Sequence, residues 1–227
     1  LRLDLNLVIF DVDGTLIDSQ NMIVTAMDRA FAANGLVAPP RAEVLSIVGL
    51  SLETAMRALV KEEPDALAGP LTEAYKAAFF DLRKSEEHHE PLFPGAIAAL
   101  DRLAERPDVL LGIATGKSKR GVNAIFDLHD LHGRFVTIQT ADDHPSKPDP
   151  GMVAAAITEA GVLPQHATVI GDTTFDMEMA RAAGARAIGV NWGYHPAASL
   201  TASGAETVLA HFDDLDRALD ALMEETA

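Results

Sequence analysis

Two carboxylates stand two residues apart in the run Asp11-Val12-Asp13-Gly14-Thr15. Such a pair suits two tasks, nucleophilic attack by one member and proton transfer by the other. For both to serve one reaction, a turn at Gly14 must re-aim the second. The plainer alternative is an Asp-Gly turn that closes a strand.

Three further groups offer what phosphate chemistry needs. Thr115-Gly116-Lys117 places a hydroxyl and a main-chain N–H at a helix start, where a phosphoryl oxygen can be held; a helix cap by Thr115 is the structural alternative. Lys147, in Ser146-Lys147-Pro148-Asp149-Pro150, offers a cation for a phosphoryl group and its carboxylates, or is a solvated loop lysine. Asp149 reads as the cap of a helix whose first position is Pro150. Gly171-Asp172-Thr173-Thr174-Phe175-Asp176 adds two carboxylates. They suit Mg²⁺, which takes one or two carboxylates and keeps its waters, or a helix cap with Asp176 in the first turn. Gathering Asp11, Asp13, Asp172 and Asp176 without a cation would raise some of their pKa values and keep them protonated. Their convergence would itself call for a metal.

Convergence depends on the elements that carry these groups. Short apolar runs at Leu5–Phe10, Val109–Ala114, Phe135–Gln139, Ala167–Ile170, Arg186–Val190 and Glu206–Leu209 read as parallel strands. Helical stretches at 95–106, 117–127, 150–160, 174–183 and 215–223 lie between or after them. The alternation predicts a doubly wound α/β fold, with ligands bound outside the carboxyl ends of the strands. All four polar groups follow strands and so face one crevice. Residues 19–90 break the alternation. Helices are expected over 21–34, 43–48, 52–63 and 65–83, punctuated by Gly35, Pro39-Pro40, Gly49, Pro64 and Gly69-Pro70. That is too much chain for one crossover. It reads as an inserted helical cap (19–90) over a core formed by 1–18 and 91–227.

The 227 residues are 48% hydrophobic and 23% charged, enough for a sizeable core and unlike a disordered or collagen-like chain. The net charge of −16 removes the general basic footprint expected for nucleic acid or an anionic membrane. Positive charge for phosphate must therefore be local. The absence of cysteine excludes disulfides, thiolate zinc sites and thiol nucleophiles, and fits a cytoplasmic protein. No run approaches a spanning helix, and residues 1–10, with Asp4, do not read as a signal peptide.

The four groups, in this order and at strand ends, resemble the haloacid dehalogenase-like hydrolase superfamily, from Leu7 to about Val190. The DGTLIDS run and the Phe93-Pro94-Gly95 return are similar to its phosphoglycolate phosphatase-type branch. The resemblance implies a Rossmann-like core and Mg²⁺-dependent hydrolysis of a small phosphate monoester through an aspartyl phosphate. Asp11 would be the nucleophile and Asp13 the proton donor and base. Mg²⁺ would sit on the Asp11 carboxylate, the Asp13 main-chain carbonyl and Asp172. Thr115 and Gly116 would bind the phosphoryl group, Lys147 would stabilise charge, and Asp176 would sit behind the metal. A sugar-phosphate mutase shares this signature, and a phospho-accepting or Mg²⁺-binding module without turnover is the non-enzymatic alternative. Monomer and homodimer both stay open.

Other residues read more plainly. His88-His89 is expected in a solvated loop, and His129, His132, His144 and His195 at surface or polar-network positions. Leu and Phe of 65–83 are expected in the cap core rather than a pocket, and Trp192 is expected to pack the sheet edge. Gly49-Leu50-Ser51 is a possible lip. Arg57, Arg83 and Lys84 are options for a second anionic group of a substrate.

Overall fold

The computed structural model describes residues 5–85 and 90–224. Six parallel strands form one sheet in the order β3-β2-β1-β4-β5-β6. They are β1 (Asn6–Phe10), β2 (Val109–Thr115), β3 (Thr137–Thr140), β4 (Ala167–Gly171), β5 (Arg186–Val190) and β6 (Thr207–Leu209). Chain order runs outward from β1 in both directions, so the switch point lies at β1 and β4, where a crevice must open.

The strands read as unbroken apolar runs because both faces are covered. Leu7, Val8, Ile9 and Phe10 are all fully buried. Val8 and Phe10 face the side packed by α5 (Ala96–Ala104), α6 (Lys119–His129) and α10 (Leu215–Glu224). Leu7 and Ile9 face α7 (Gly151–Ala160) and α8 (Thr174–Ala182). A short helix α9 (Ala197–Ala202), opened by Pro196, was not expected from the sequence.

Between β1 and β2 lie α1 (Gln20–Ala33), α2 (Arg41–Ser46), α3 (Leu52–Leu59) and α4 (Pro64–Arg83). They bury a separate apolar cluster around Met27, Phe31, Val44, Met56 and Leu71. Gly69-Pro70 does not interrupt α4; Pro70 lies inside it on the exposed face. The missing N–H removes one hydrogen bond but no packed side chain. Other boundaries move by a few residues. β3 starts at Thr137 because its ladder begins where Thr137 meets Gly112. Phe135 instead stacks on Phe126, with ring centroids 5.3 Å apart. α6 starts at Lys119, not Lys117, because the Ser118 hydroxyl accepts from the Gly121 N–H. α7 starts at Gly151, whose N–H donates to Asp149 Oδ1 at 2.8 Å.

Among the described residues no helix is long and apolar enough to cross a membrane. His88-His89 lies outside the described residues.

Candidate active site

The end of β1 delivers Asp11 straight off a buried strand, and a tight turn brings Asp13 back beside it. The Gly14 N–H bonds the Ile17 carbonyl at 2.9 Å, and the Ile17 N–H returns to the Val12 carbonyl at 2.9 Å. Gly14 has φ +89°, and a Cβ there would lie 2.2 Å from Asp172 Oδ2. Only glycine fits this corner. Trp192 packs beneath it against Phe93 and Phe212 and donates its indole N–H to the Thr15 carbonyl at 3.1 Å. It is packing, as the sequence suggests, and it supports the turn.

Asp172 follows β4. Its Oδ1 accepts the Thr15 hydroxyl and its Oδ2 the Tyr194 N–H, both at 2.9 Å. Asp176 forms a reciprocal start to α8 with Thr173: its Oδ2 accepts the Thr173 N–H and hydroxyl. Its other oxygen takes Lys147 Nζ at 2.6 Å. The capping reading of this segment is therefore true of Thr173 and Asp176, yet Asp176 also anchors the lysine.

Lys147 Nζ, fully buried, also lies 2.9 Å from Asp11 Oδ1. Asp11 Oδ2 is buried with no partner, and Oδ1, also buried, has only this ammonium beside it. Oxygens of Asp11, Asp172 and Asp176 lie within 4.8 Å of one another. Asp176 accepts three hydrogen bonds, one from the Lys147 ammonium, whereas each oxygen of Asp172 accepts one, so Asp11 and Asp172 keep more capacity for a cation. A buried carboxylate whose Oδ2 has no partner and whose Oδ1 meets only the Lys147 ammonium is what a metal would complete.

The electrostatics point the same way. Burial pushes the Asp11 carboxyl up to about 6, against the pull of Lys147 and with Asp176 adding to the rise. Burial lifts Asp172 well above the carboxylate range, reinforced by Asp176 and Asp11. Burial alone would lower Lys147, but Asp11 and Asp176 hold it above its ordinary value and keep it charged. An acid raised on folding penalises the folded state as pH climbs from 3.8 to about 6, and fully above that. A bound divalent cation relieves the penalty. Mg²⁺ should therefore raise the melting temperature more at about pH 7.5 than at about pH 5. Thermal unfolding with and without Mg²⁺ checks this; equal shifts at both pH values would contradict it.

Thr115 ends β2, buried, and its hydroxyl accepts the Lys117 N–H at 3.2 Å. A Cβ on Gly116 would lie 2.4 Å from the Gly49 carbonyl oxygen and 2.6 Å from that of Leu50. The Gly49-Leu50-Ser51 turn thus sits directly on the β2 loop, and the Ser51 N–H donates to Ser146 Oγ at 2.8 Å. Gly116→Ala should force the two segments apart and lower kcat/KM about tenfold or more, since small misplacements at such sites are expensive. Steady-state kinetics beside an unchanged circular dichroism spectrum would show it.

Lys117 shows what the sequence left unread. With α6 starting later, its side chain turns inward, and Nζ lies 2.9 and 2.8 Å from the two oxygens of Asp13. The Ser19 hydroxyl donates to Asp13 Oδ1 at 2.6 Å. Burial acts to raise Asp13, but Lys117 and Ser19 overcome it and hold the carboxyl below its usual value. Buried Glu90 joins Arg83 through two bonds, 2.5 and 3.0 Å, and lies 3.7 Å from Lys117 Nζ. The only hint in the sequence was a lysine following Thr115-Gly116; its partner depends on how two distant loops meet.

A cavity of about 600 Å³ opens between these loops and the helical insert. Asp11, Asp13, Thr115, Gly116 and Lys117 line its floor, and Arg83 its side. Phe79 and Phe80 of α4 also line it, which corrects the expectation that the aromatics of 65–83 belong to the core alone. Arg57 faces outward, paired with Glu53 and Asp65, and does not line the cavity. Lys84 lies over the exposed Phe80 ring, also outside the lining. His129, His132, His144 and His195 each bond a neighbouring carbonyl or carboxylate, as polar-network residues do.

A parallel α/β sheet with a buried aspartate–lysine cluster at its switch point defines an enzyme built to handle an anion. A family model for haloacid dehalogenase-like hydrolases matches residues 8–190, and the chain belongs to that family. A protein named probable phosphatase IndB from Dickeya dadantii is 32% identical over 96% of this chain and 95% of its own length. A phosphoglycolate phosphatase from Pseudomonas putida is 31% identical over 92% of this chain and 76% of its own. A solved hydrolase from Pseudomonas syringae superposes with a TM-score of 0.83 at 28% identity, covering 95% of this chain and 98% of that one.

Proposed function

We propose that the chain is a Mg²⁺-dependent phosphatase that hydrolyses a small phosphate monoester through an aspartyl phosphate. The relatives named for phosphatase activity support this reading. The observation that carries it is the buried Asp11 carboxylate, its Oδ2 without a partner, beside Lys147 and on the wall of a cavity.

Asp11 attacks phosphorus, and the bond from phosphorus to the alcohol oxygen breaks. Asp13, held ionised beside Lys117 in the free site, takes up a proton as the substrate binds and gives it to that oxygen. It then takes a proton from the water that attacks the phosphorus of the aspartyl phosphate, releasing phosphate and restoring Asp11. Thr115 and the Gly116 N–H hold phosphoryl oxygens. Lys147, fixed by Asp176, offsets the repulsion between a carboxylate and a phosphate dianion. The Asp11 carboxylate, the Asp13 main-chain carbonyl and Asp172 would hold Mg²⁺, which when bound supplies further neutralisation of transferring charge. Helices α1 to α4 act as a cap (residues 19–90) that excludes water from a core of 1–18 and 91–227.

The test is hydrolysis of a panel of monoesters, from 2-phosphoglycolate to hexose phosphates, with Mg²⁺ and with excess chelator. Turnover should appear only with Mg²⁺ and return when it is restored. Full activity in chelator would overturn the reading, and conversion of a hexose 1-phosphate to its isomer would point to a mutase.

A further inference from the structure

The cavity extends well past the phosphoryl site. At about 600 Å³ it falls in the range of pockets that enclose drug-sized ligands. A two-carbon ester would leave most of it to water. The extra space is walled by Ile23 and Met27 of α1 and by Thr72, Tyr75 and Phe79 of α4. That face is apolar apart from two hydroxyls, while the charged side chains of Glu53, Lys76, Arg83 and Arg120 line other parts of the cavity.

Those two hydroxyls are unpartnered. Thr72 is 8% exposed, and its Oγ1 is buried with no hydrogen bond. A helical threonine can ordinarily satisfy itself on the carbonyl four residues back. Thr158 does so on Ala154 at 2.8 Å and Thr201 on Ala197 at 3.2 Å; Thr72 does not. An unmet buried hydroxyl weakens a fold, and valine would fill the same space without it. Tyr75 stands three residues on, on the same face of α4, and its phenol lines the cavity with no hydrogen bond among the described residues. Burial keeps the phenol protonated, a donor.

We infer that this chamber receives the alcohol half of the substrate, and that this half lays an apolar side against α1 and α4 and carries a hydroxyl or carbonyl that Thr72 and Tyr75 recognise. The inference rests on the phosphatase reading and narrows its substrate class: the leaving alcohol is larger than glycolate.

The experiment uses the full chain with Mg²⁺. The probes are 2-phosphoglycolate, benzyl phosphate and its three ring-hydroxylated isomers. Benzyl phosphates should exceed 2-phosphoglycolate in kcat/KM by about tenfold or more, and one hydroxylated isomer should exceed the parent. Thr72→Val and Tyr75→Phe should each lower that hydroxylated-to-parent ratio roughly tenfold, the scale of one lost hydrogen bond. Thr72→Val should also raise the melting temperature by about 2–4 °C; a structural role for the hydroxyl would lower it. A preference for 2-phosphoglycolate, or ratios that neither variant moves, overturns the inference while leaving a Mg²⁺-dependent phosphatase in place. Absence of hydrolysis of every ester would remove the phosphatase reading and this one with it.

Discussion

Asparagine in place of Asp11 is expected to lower kcat on the order of 10⁴-fold or more, the scale seen when a nucleophile is lost. An amide oxygen has the size of a carboxylate oxygen but not its charge, so attack on phosphorus ends while the shape of the site is kept. The same change should not harm the fold. Asp11 Oδ2 has no partner, its Oδ1 meets only Lys147, and burial already penalises its charge. Lys147 keeps Asp176 as a partner at 2.6 Å. Without divalent cation, the melting temperature of Asp11→Asn should equal or exceed that of the parent, and Mg²⁺ should stabilise it less. Loss of activity joined to loss of stability would instead mark Asp11 as structural.

Lys147→Met should have the largest effect on stability. Methionine keeps much of the buried stem and removes the ammonium that lies 2.9 Å from Asp11 and 2.6 Å from Asp176. Asp11, Asp172 and Asp176 would then share a buried pocket with no cation. Stripping one side of a buried ion pair costs about 3–5 kcal/mol, and that loss is expected in denaturant unfolding at neutral pH. The sign of its pH dependence follows from the carboxyls. Asp11 takes up a proton as pH falls towards about 6 and below, and the raised Asp172 carboxyl acts in the same sense, so the deficit should shrink as pH falls. Mg²⁺ should recover part of it. A deficit that is unchanged by pH and Mg²⁺ would contradict the electrostatic account.

Much of this was legible because the informative signals are local. An apolar run ending in Asp11-Val12-Asp13-Gly14 fixes a strand end, and alternation of such runs with helices fixes the sheet. What escaped depends on faces and on contacts between loops. Helical periodicity gives α3 and α4 an apolar side, but it does not say that Phe79 borders a cavity while Arg57 faces solvent with Glu53 and Asp65. The Lys117–Asp13 pair spans 104 positions and exists only because α6 begins at Lys119. The helix expected over 65–83 runs through Pro70, which propensity ranks as a breaker, because its exposed position tolerates it.

Covalent transfer through Asp11 is tested most directly by the stereochemical course at phosphorus, using a substrate made chiral with oxygen isotopes and hydrolysed in labelled water. Two successive in-line displacements, first onto Asp11 and then onto water, give overall retention of configuration. Inversion would mean that water attacks the ester in one step, and that Asp11 is not the nucleophile.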